Sequence, residues 1–328
     1  MRFSAKFVKQ VFKVINMKKL VGKNMVAPPR RLEWNAQQLK RTELAQRSED
    51  IAGSELITLF PDHPTNRHVF YLHGGGYALE ASPFHKEIQE YFVKTYGLKV
   101  SAFDYPLAPE HTAQVTLERT LAAYLRLAFL YPDDHFYLFG DSAGGGLALS
   151  LAQHLQEKRA AANSETAATA GQKATQSTDQ RYEQLPVSVP EKLALISPWL
   201  DLTLSDPRIS AIEDKDVLLQ RDLLAEAARN YAGGLPLEDP RVSPLKGPLE
   251  NLGQLLVISG TDDILNPDVL RLQERINALG SQESSGTCLH LEIAPDMMHD
   301  FVVYPLKEAT PYLALIGRFY VDELAAGE

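Results

Sequence analysis

The chain has a single cysteine, Cys288, in 328 residues. That excludes an intramolecular disulfide and any zinc site built on several thiolates. No stretch reaches about 18 consecutive apolar residues, so no segment reads as a membrane-spanning helix. A positive excess is also missing: 33 Lys and Arg face 42 Asp and Glu, a net charge of −9. This disfavours a nucleic-acid binder. What is present is ordinary for a packed globule, with 45% hydrophobic and 23% charged residues. The length suits one large α/β domain or two small ones. The composition fits a reducing compartment, and the cytoplasm is the expected location.

The charge is unevenly distributed. Residues 1–31 contain nine Lys and Arg and no acid. The rest holds 24 basic and 42 acidic side chains, a net of −18. At about 100° per residue, Phe3, Phe7, Val11, Val14 and Ile15 share one side of a helix, with Arg2, Lys6, Lys9 and Lys13 on the other. Such a helix can lie on an anionic membrane surface or pack its apolar stripe over its own domain. Lysines interrupt every apolar run and no small-residue cleavage site follows, so it is not read as a signal peptide. From about Ala160 to Arg181, alanine is the only hydrophobic residue. That segment cannot bury enough apolar area to offset its ordering entropy, and a mobile surface insertion is expected.

Elsewhere two periods alternate. Apolar, β-rich runs occur at 55–60, 68–73, 98–105, 135–140, 193–199, 255–260 and 289–294. Helical patterns lie at 85–96, 116–130, 143–158, 266–279 and 312–325, with another from Asp216 to Gly234 closed by a Gly-Gly pair. Strands alternating with helices imply a mostly parallel sheet covered on both faces. Chemistry in such sheets gathers at the carboxyl ends of the strands.

The run 135–140 leads into Gly140-Asp141-Ser142-Ala143-Gly144. This is a G-x-S-x-G sequence between a strand and a helix, the context in which such a serine is a nucleophile on a sharp turn. A glycine-rich phosphate loop is the rival reading, but the lysine or G-x-G-x-x-G it needs is missing. A serine hydroxyl needs a base and a group that orients the base. His299 follows the strand at 289–294, and Asp263 follows the strand at 255–260, with Asp262 as its rival. The order Ser, Asp, His is that of α/β-hydrolases. His73-Gly74-Gly75-Gly76 follows the strand at 68–73. Its N–H groups at Gly75, Gly76 and Gly74, with that of Ala143, are the expected donors to an oxyanion. His73 is expected to brace that loop.

These motifs resemble the hormone-sensitive-lipase-like branch of α/β-hydrolase esterases, also called bacterial family IV. Three further segments match it: Tyr105-Pro106-Leu107-Ala108-Pro109-Glu110-His111, Ser197-Pro198-Trp199-Leu200-Asp201-Leu202 and Asp239-Pro240-Arg241-Val242-Ser243-Pro244-Leu245. Pro106 replaces the family's usual arginine, Asn266-Pro267 replaces Arg-Asp in its D-P-L-R-D segment, and Asp300 replaces the glycine after its histidine. The match with that segment favours Asp263 over Asp262.

The resemblance implies an α/β-hydrolase fold with a mostly parallel sheet of about eight strands flanked by helices, and a helical cap. Residues 1–45 would be a basic amphipathic cap segment and 46–328 the catalytic domain, with a cap insertion at about 205–235 and the polar insertion at about 160–190. On that plan the N-terminal helix packs into the cap, although a weak anionic-membrane contact through residues 1–26 stays open. The implied activity is hydrolysis of short-chain acyl esters, acetyl to hexanoyl, with no metal or organic cofactor. Tyr77, Phe84 and Leu218–Leu224 are candidate walls of the substrate pocket, each also readable as core. Lactonase, amidase and deacetylase chemistry share the same machinery. A non-catalytic receptor on this scaffold is disfavoured because His299 is kept.

Overall fold

The protein is described here by a computed structural model that covers residues 2–29, 41–168 and 188–323. The seven apolar runs become strands β2 (Ser54–Phe60), β3 (Arg67–Leu72), β4 (Lys99–Phe103), β5 (His135–Asp141), β6 (Lys192–Ile196), β7 (Gly253–Asp262) and β8 (Thr287–Met298). An eighth strand, β1 (Ala45–Ile51), comes from the polar sequence AQRSEDI. It has no apolar run because it is an exposed edge strand, and its charges blunt that edge. The eight strands form one sheet in the order β1-β2-β4-β3-β5-β6-β7-β8. β2 runs antiparallel to both its neighbours, with Ala45 opposite Phe60 and Leu56 opposite Phe103; all other pairs are parallel. Strands β3, β5 and β6 are buried along nearly their whole length, as continuous apolar runs require.

The helices are α1 (Ala5–Val14), α2 (Met17–Val26), α3 (Pro83–Tyr96), α4 (Ala113–Leu130), α5 (Ser142–Ala168), α6 (Ile209–Ile212), α7 (Arg221–Ala232), α8 (Asn266–Ala278), α9 (Gln282–Ser285) and α10 (Ala309–Tyr320). The crossover through α3 steps one way across the sheet, and those through α4, α5 and α8 step the other way. Right-handed crossovers therefore place α3 on one face and α4, α5 and α8 on the opposite one. Helix α10 joins α3, where the Tyr96 hydroxyl donates to the Ala314 carbonyl at 3.1 Å.

Three expectations are corrected. The helix expected from Asp216 begins only at Arg221 and ends at Gly233, whose φ is 58°. Residues 216–220 stay out of it because Asp216 Oδ1 accepts the N–H groups of Leu218 and Leu219. The insertion expected to be mobile from about Ala160 starts as helix, since α5 runs on through its alanines to Ala168. Residues 169–187 lie outside the described residues. Third, the apolar stripe of α1 does not pack over the domain: Phe3, Phe7, Val11, Val14 and Ile15 are exposed. The inward face is formed by Ala5, Val8 and Phe12, and polar groups fix it there. Lys9 pairs with Asp262, the Ala5 N–H donates to Glu308, and Arg2 donates to Thr310.

Two of the secondary motifs lock onto each other. In the first, buried Asp201 pairs with Lys246 at 3.1 Å and Arg271 at 3.0 Å, and accepts from Thr203. In the second, the Ser243 hydroxyl accepts from the Leu202 N–H at 2.7 Å and donates to the Leu237 carbonyl at 2.6 Å. Replacing Asp201 with Asn is expected to cost about 2–3 kcal/mol, below the value for a fully buried pair because both cations are partly solvated. Thermal unfolding measures this: a Tm within about 1 °C of the parent would show that the pairing contributes nothing.

Candidate active site

Strand β5 passes directly into helix α5, with no residue between Asp141 and Ser142. Ser142 takes a φ of 50°, a left-handed conformation that costs energy for any residue but glycine. The turn closes only because its neighbours lack side chains. A Cβ on Gly140 would lie 2.3 Å from the Gly144 carbonyl oxygen, and one on Gly144 would lie 2.0 Å from that of Leu72. The hydroxyl of Ser142 thus stands at the carboxyl end of the central strand, over the N-terminus of α5.

Loops after β7 and β8 bring Asp263 and His299 to the same edge. His299 Nε2 lies 2.9 Å from Ser142 Oγ, and Nδ1 lies 2.9 Å from Asp263 Oδ2. The other Asp263 oxygen accepts the Leu265 N–H at 2.9 Å. All three side chains are buried. Asp262, the rival, turns away to Lys9. Burial opposes charge on His299, yet Asp263 and then Asp300 hold its pKa well above the ordinary histidine value.

The loop after β3 places its glycines differently from one another. The Gly74 N–H donates to Asp141 Oδ2 at 2.8 Å, so it is not available to an oxyanion, which corrects its expected role. Gly75 and Gly76 have φ values of 120° and 62°, and their N–H groups make no hydrogen bond within the described residues. Ala143 is the second residue of α5, where a helix leaves its N–H without an intrahelical partner. His73 donates from Nδ1 to the Gly74 carbonyl at 2.6 Å and stacks on Tyr105 at 4.5 Å. The Tyr105 hydroxyl donates to the His73 carbonyl at 2.6 Å. That is what the Tyr105–His111 segment does for the loop.

Sequence reasoning missed three acidic residues. Asp141 accepts from Tyr71 at 2.7 Å and from Gly74, and lies 3.2 Å from His85 Nε2. The Ser82 N–H donates to His85 Nδ1, which leaves the proton on the nitrogen facing Asp141. Burial works against the Asp141 charge, but His85 and Tyr71 keep its pKa below the usual carboxylate range. Asp216 ties the chain at Leu218 and Leu219 to the loop of Asp263, accepting the Ile264 N–H at 3.0 Å. Burial, and then Asp263, push its pKa up to about 6. Asp300 approaches His299 Nε2 at 3.2 Å, from the side that faces Ser142. Its φ of 51° is a value glycine adopts freely, and its Oδ1 is buried with no hydrogen-bond partner. Burial pushes its pKa up to about 6. The motif flagged Asp141 and Asp300 by position, but no local signal marked Asp216.

A cleft of about 220 Å³ opens over Ser142 and His299. Val21 and Met25 of α2, Leu79, Phe84, Leu218 and Leu219 give it apolar walls. Tyr77, an expected wall, is core instead: it stacks flat on Tyr231 with ring centroids 3.6 Å apart. Among the described residues, no group of three or more His, Cys, Asp or Glu is arranged to hold a metal ion.

This geometry agrees with what the chain is similar to. Residues 69–303 match the sequence model of an alpha/beta hydrolase fold family, and the chain belongs to that family. Within it, the chain falls in the hormone-sensitive-lipase-like branch. The HSL-homolog EstE7 from a metagenome library superposes with a TM-score of 0.75 at 25% identity, over 99% of this chain and all (100%) of that one. An esterase of Acinetobacter venetianus is 28% identical over 256 residues, 76% of this chain and 73% of that protein. An acetyl-hydrolase of Streptomyces hygroscopicus is 28% identical over 262 residues, 79% of this chain and 77% of that protein.

The contact between Asp300 and His299 makes a prediction. A carboxylate beside Nε2 stabilises the imidazolium and so raises the pH at which His299 becomes a base. Asp263, Asp216 and Asp141 stay in place in Asp300→Asn, so only this charge is removed. The acidic limb of kcat/KM should then move to lower pH by about 1 unit. An unmoved limb, with the variant folded, would show that Asp300 exerts no field on the imidazole.

Proposed function

We propose that this carboxylic ester hydrolase cleaves small, short-chain acyl esters through an acyl-enzyme on Ser142. The observation that carries the reading is the continuous hydrogen-bonded chain from Ser142 through His299 to Asp263. His299 takes the hydroxyl proton as Ser142 attacks the ester carbonyl, and Asp263 holds the imidazole tautomer. The N–H groups of Gly75, Gly76 and Ala143 receive the developing oxyanion. The protonated His299 then gives its proton to the leaving alcohol. Water, deprotonated by the same histidine, releases the acid and restores the serine.

The size of the cleft supports the short-chain reading. About 220 Å³ is below the roughly 300–1,000 Å³ of sites that take drug-sized ligands. The relative named acetyl-hydrolase supports it. Helix α2 and the Leu218–Leu219 segment serve as the cap that closes the cleft.

The test is a series of p-nitrophenyl esters from acetate to palmitate. Turnover should peak at the short chains, and Ser142→Ala should lower kcat by at least about 10⁴-fold. A peak at the long chains would overturn the short-chain reading. Folded protein with serine-independent turnover, or none, would overturn the mechanism.

A further inference from the structure

The outward face of the N-terminal helical hairpin has no partner within the described residues. Seven large apolar side chains are exposed among those residues, and six of them sit here: Phe3, Phe7, Val11, Val14, Ile15 and Leu20. Phe3 and Phe7 stack at 6.2 Å, and Val14 is 74% exposed. Scattered apolar residues need no explanation, but a single contiguous cluster of this kind marks an interaction surface. Lys6, Lys13, Lys19 and Lys23 are exposed on the same two helices. No acidic residue occurs in the first 31 positions, against a net of −18 for the rest. The hairpin is therefore an apolar stripe with a cationic rim on an otherwise acidic protein.

The stripe is held outward by design of its opposite face. Lys9 is bound to Asp262 and to the Asp296 carbonyl, so rotation of α1 to bury the stripe would break both contacts. That anchored face also reaches the cleft. Phe12 meets the ring of Tyr304 edge-on at 5.8 Å, and Tyr304 lines the cleft over Ser142. Val21 and Met25, on the same helix as Leu20, line it too.

We propose that the α1–α2 hairpin is a docking surface for an anionic lipid bilayer, which it meets with its apolar stripe in the interface and its lysines on the headgroups. No helix of the described residues is long and apolar enough to cross a membrane, so the contact is peripheral. Charge complementarity favours this occupant: a second copy joined through the same face would set one row of lysines against another.

The experiment uses the full chain and vesicles of phosphatidylcholine, with and without phosphatidylserine, in a sedimentation assay. Binding should appear with phosphatidylserine at low salt and fall roughly tenfold at high salt, where the Debye length shortens. Two double variants, Phe7→Ser with Val14→Ser and Lys6→Glu with Lys13→Glu, should each lose roughly tenfold in binding. Both should keep the parent's turnover of soluble p-nitrophenyl butyrate, since none of these side chains lines the cleft. That readout separates the docking surface from the chemistry: loss of turnover alone would count against the mechanism and not against docking. Absence of binding, equal binding to neutral vesicles, or variants that bind like the parent would each overturn the proposal. So would a dimer, seen by light scattering, that the Phe7 and Val14 substitutions dissociate without affecting vesicle binding.

Discussion

One buried carboxylate fixes the relation between the two loops on which the site depends. Asp141 closes β5, and Ser142 follows it immediately. Its oxygens hold the Gly74 N–H, the Tyr71 hydroxyl and His85, so the glycine loop after β3 is tied to the residue next to Ser142. Taking a carboxylate out of water with no partners would cost several kcal/mol. Three donors, two from β3 and the loop it runs into and one from α3, remove that cost only if all of them are in place. The loop therefore has one permitted position relative to Ser142, and the N–H groups of Gly75 and Gly76 are set by it. Preorganisation of this kind matters because donors that must reorient during reaction lose much of their effect.

The other side of the cleft follows the same logic. Asp216 accepts two N–H groups from the segment carrying Leu218 and Leu219 and one from Ile264, next to Asp263. A wall of the cleft and the residue orienting His299 are thus joined through one side chain. Helix α2 is tied to this wall as well, since Lys18 donates to the Glu213 carbonyl and Asn230 to that of Val26. Gly22 lets the contact close, because a Cβ there would lie 2.6 Å from Leu223. The N-terminal hairpin is consequently coupled to the site through packing, although it supplies no group to the chemistry.

Much of this was legible in the sequence where the determinant is local. Apolar runs marked β2 to β8, and the glycines around Ser142 marked a turn that only small residues can close. What stayed hidden depends on partners distant in sequence. The composition of Gly74 shows that its N–H is accessible, but only the fold shows that Asp141 takes it. Periodicity shows that α1 has an apolar face and a basic face. It does not show which one turns inward, because the answer lies with Asp262, Asp296 and Glu308 at the other end of the chain. Strand β1 was missed because an exposed edge carries polar residues, and the pairing of Ala45 with Phe60 comes from the neighbouring strand rather than from its own pattern. Choosing Asp263 over Asp262 needed a family resemblance; in the fold, Asp262 pairs with a lysine while Asp263 lies 2.9 Å from His299.

The acidic surroundings of His299 pull in two directions. Asp263 on one ring nitrogen and Asp300 near the other both favour the imidazolium. In the mechanism proposed above, the transition state of acyl transfer contains that imidazolium, so the same field that stabilises it also lowers the fraction of free enzyme able to act as a base. At a pH well above the histidine's raised pKa, the base is available and the stabilisation is retained. Below it, the proton is already in place and Ser142 has no acceptor. A glycine at position 300 would remove this compromise together with the strained φ of 51°. Aspartate there trades activity at low pH for a more basic imidazole at high pH. The raised pKa of Asp300 itself sets the lower boundary of that trade: once it is protonated, its field on Nε2 disappears.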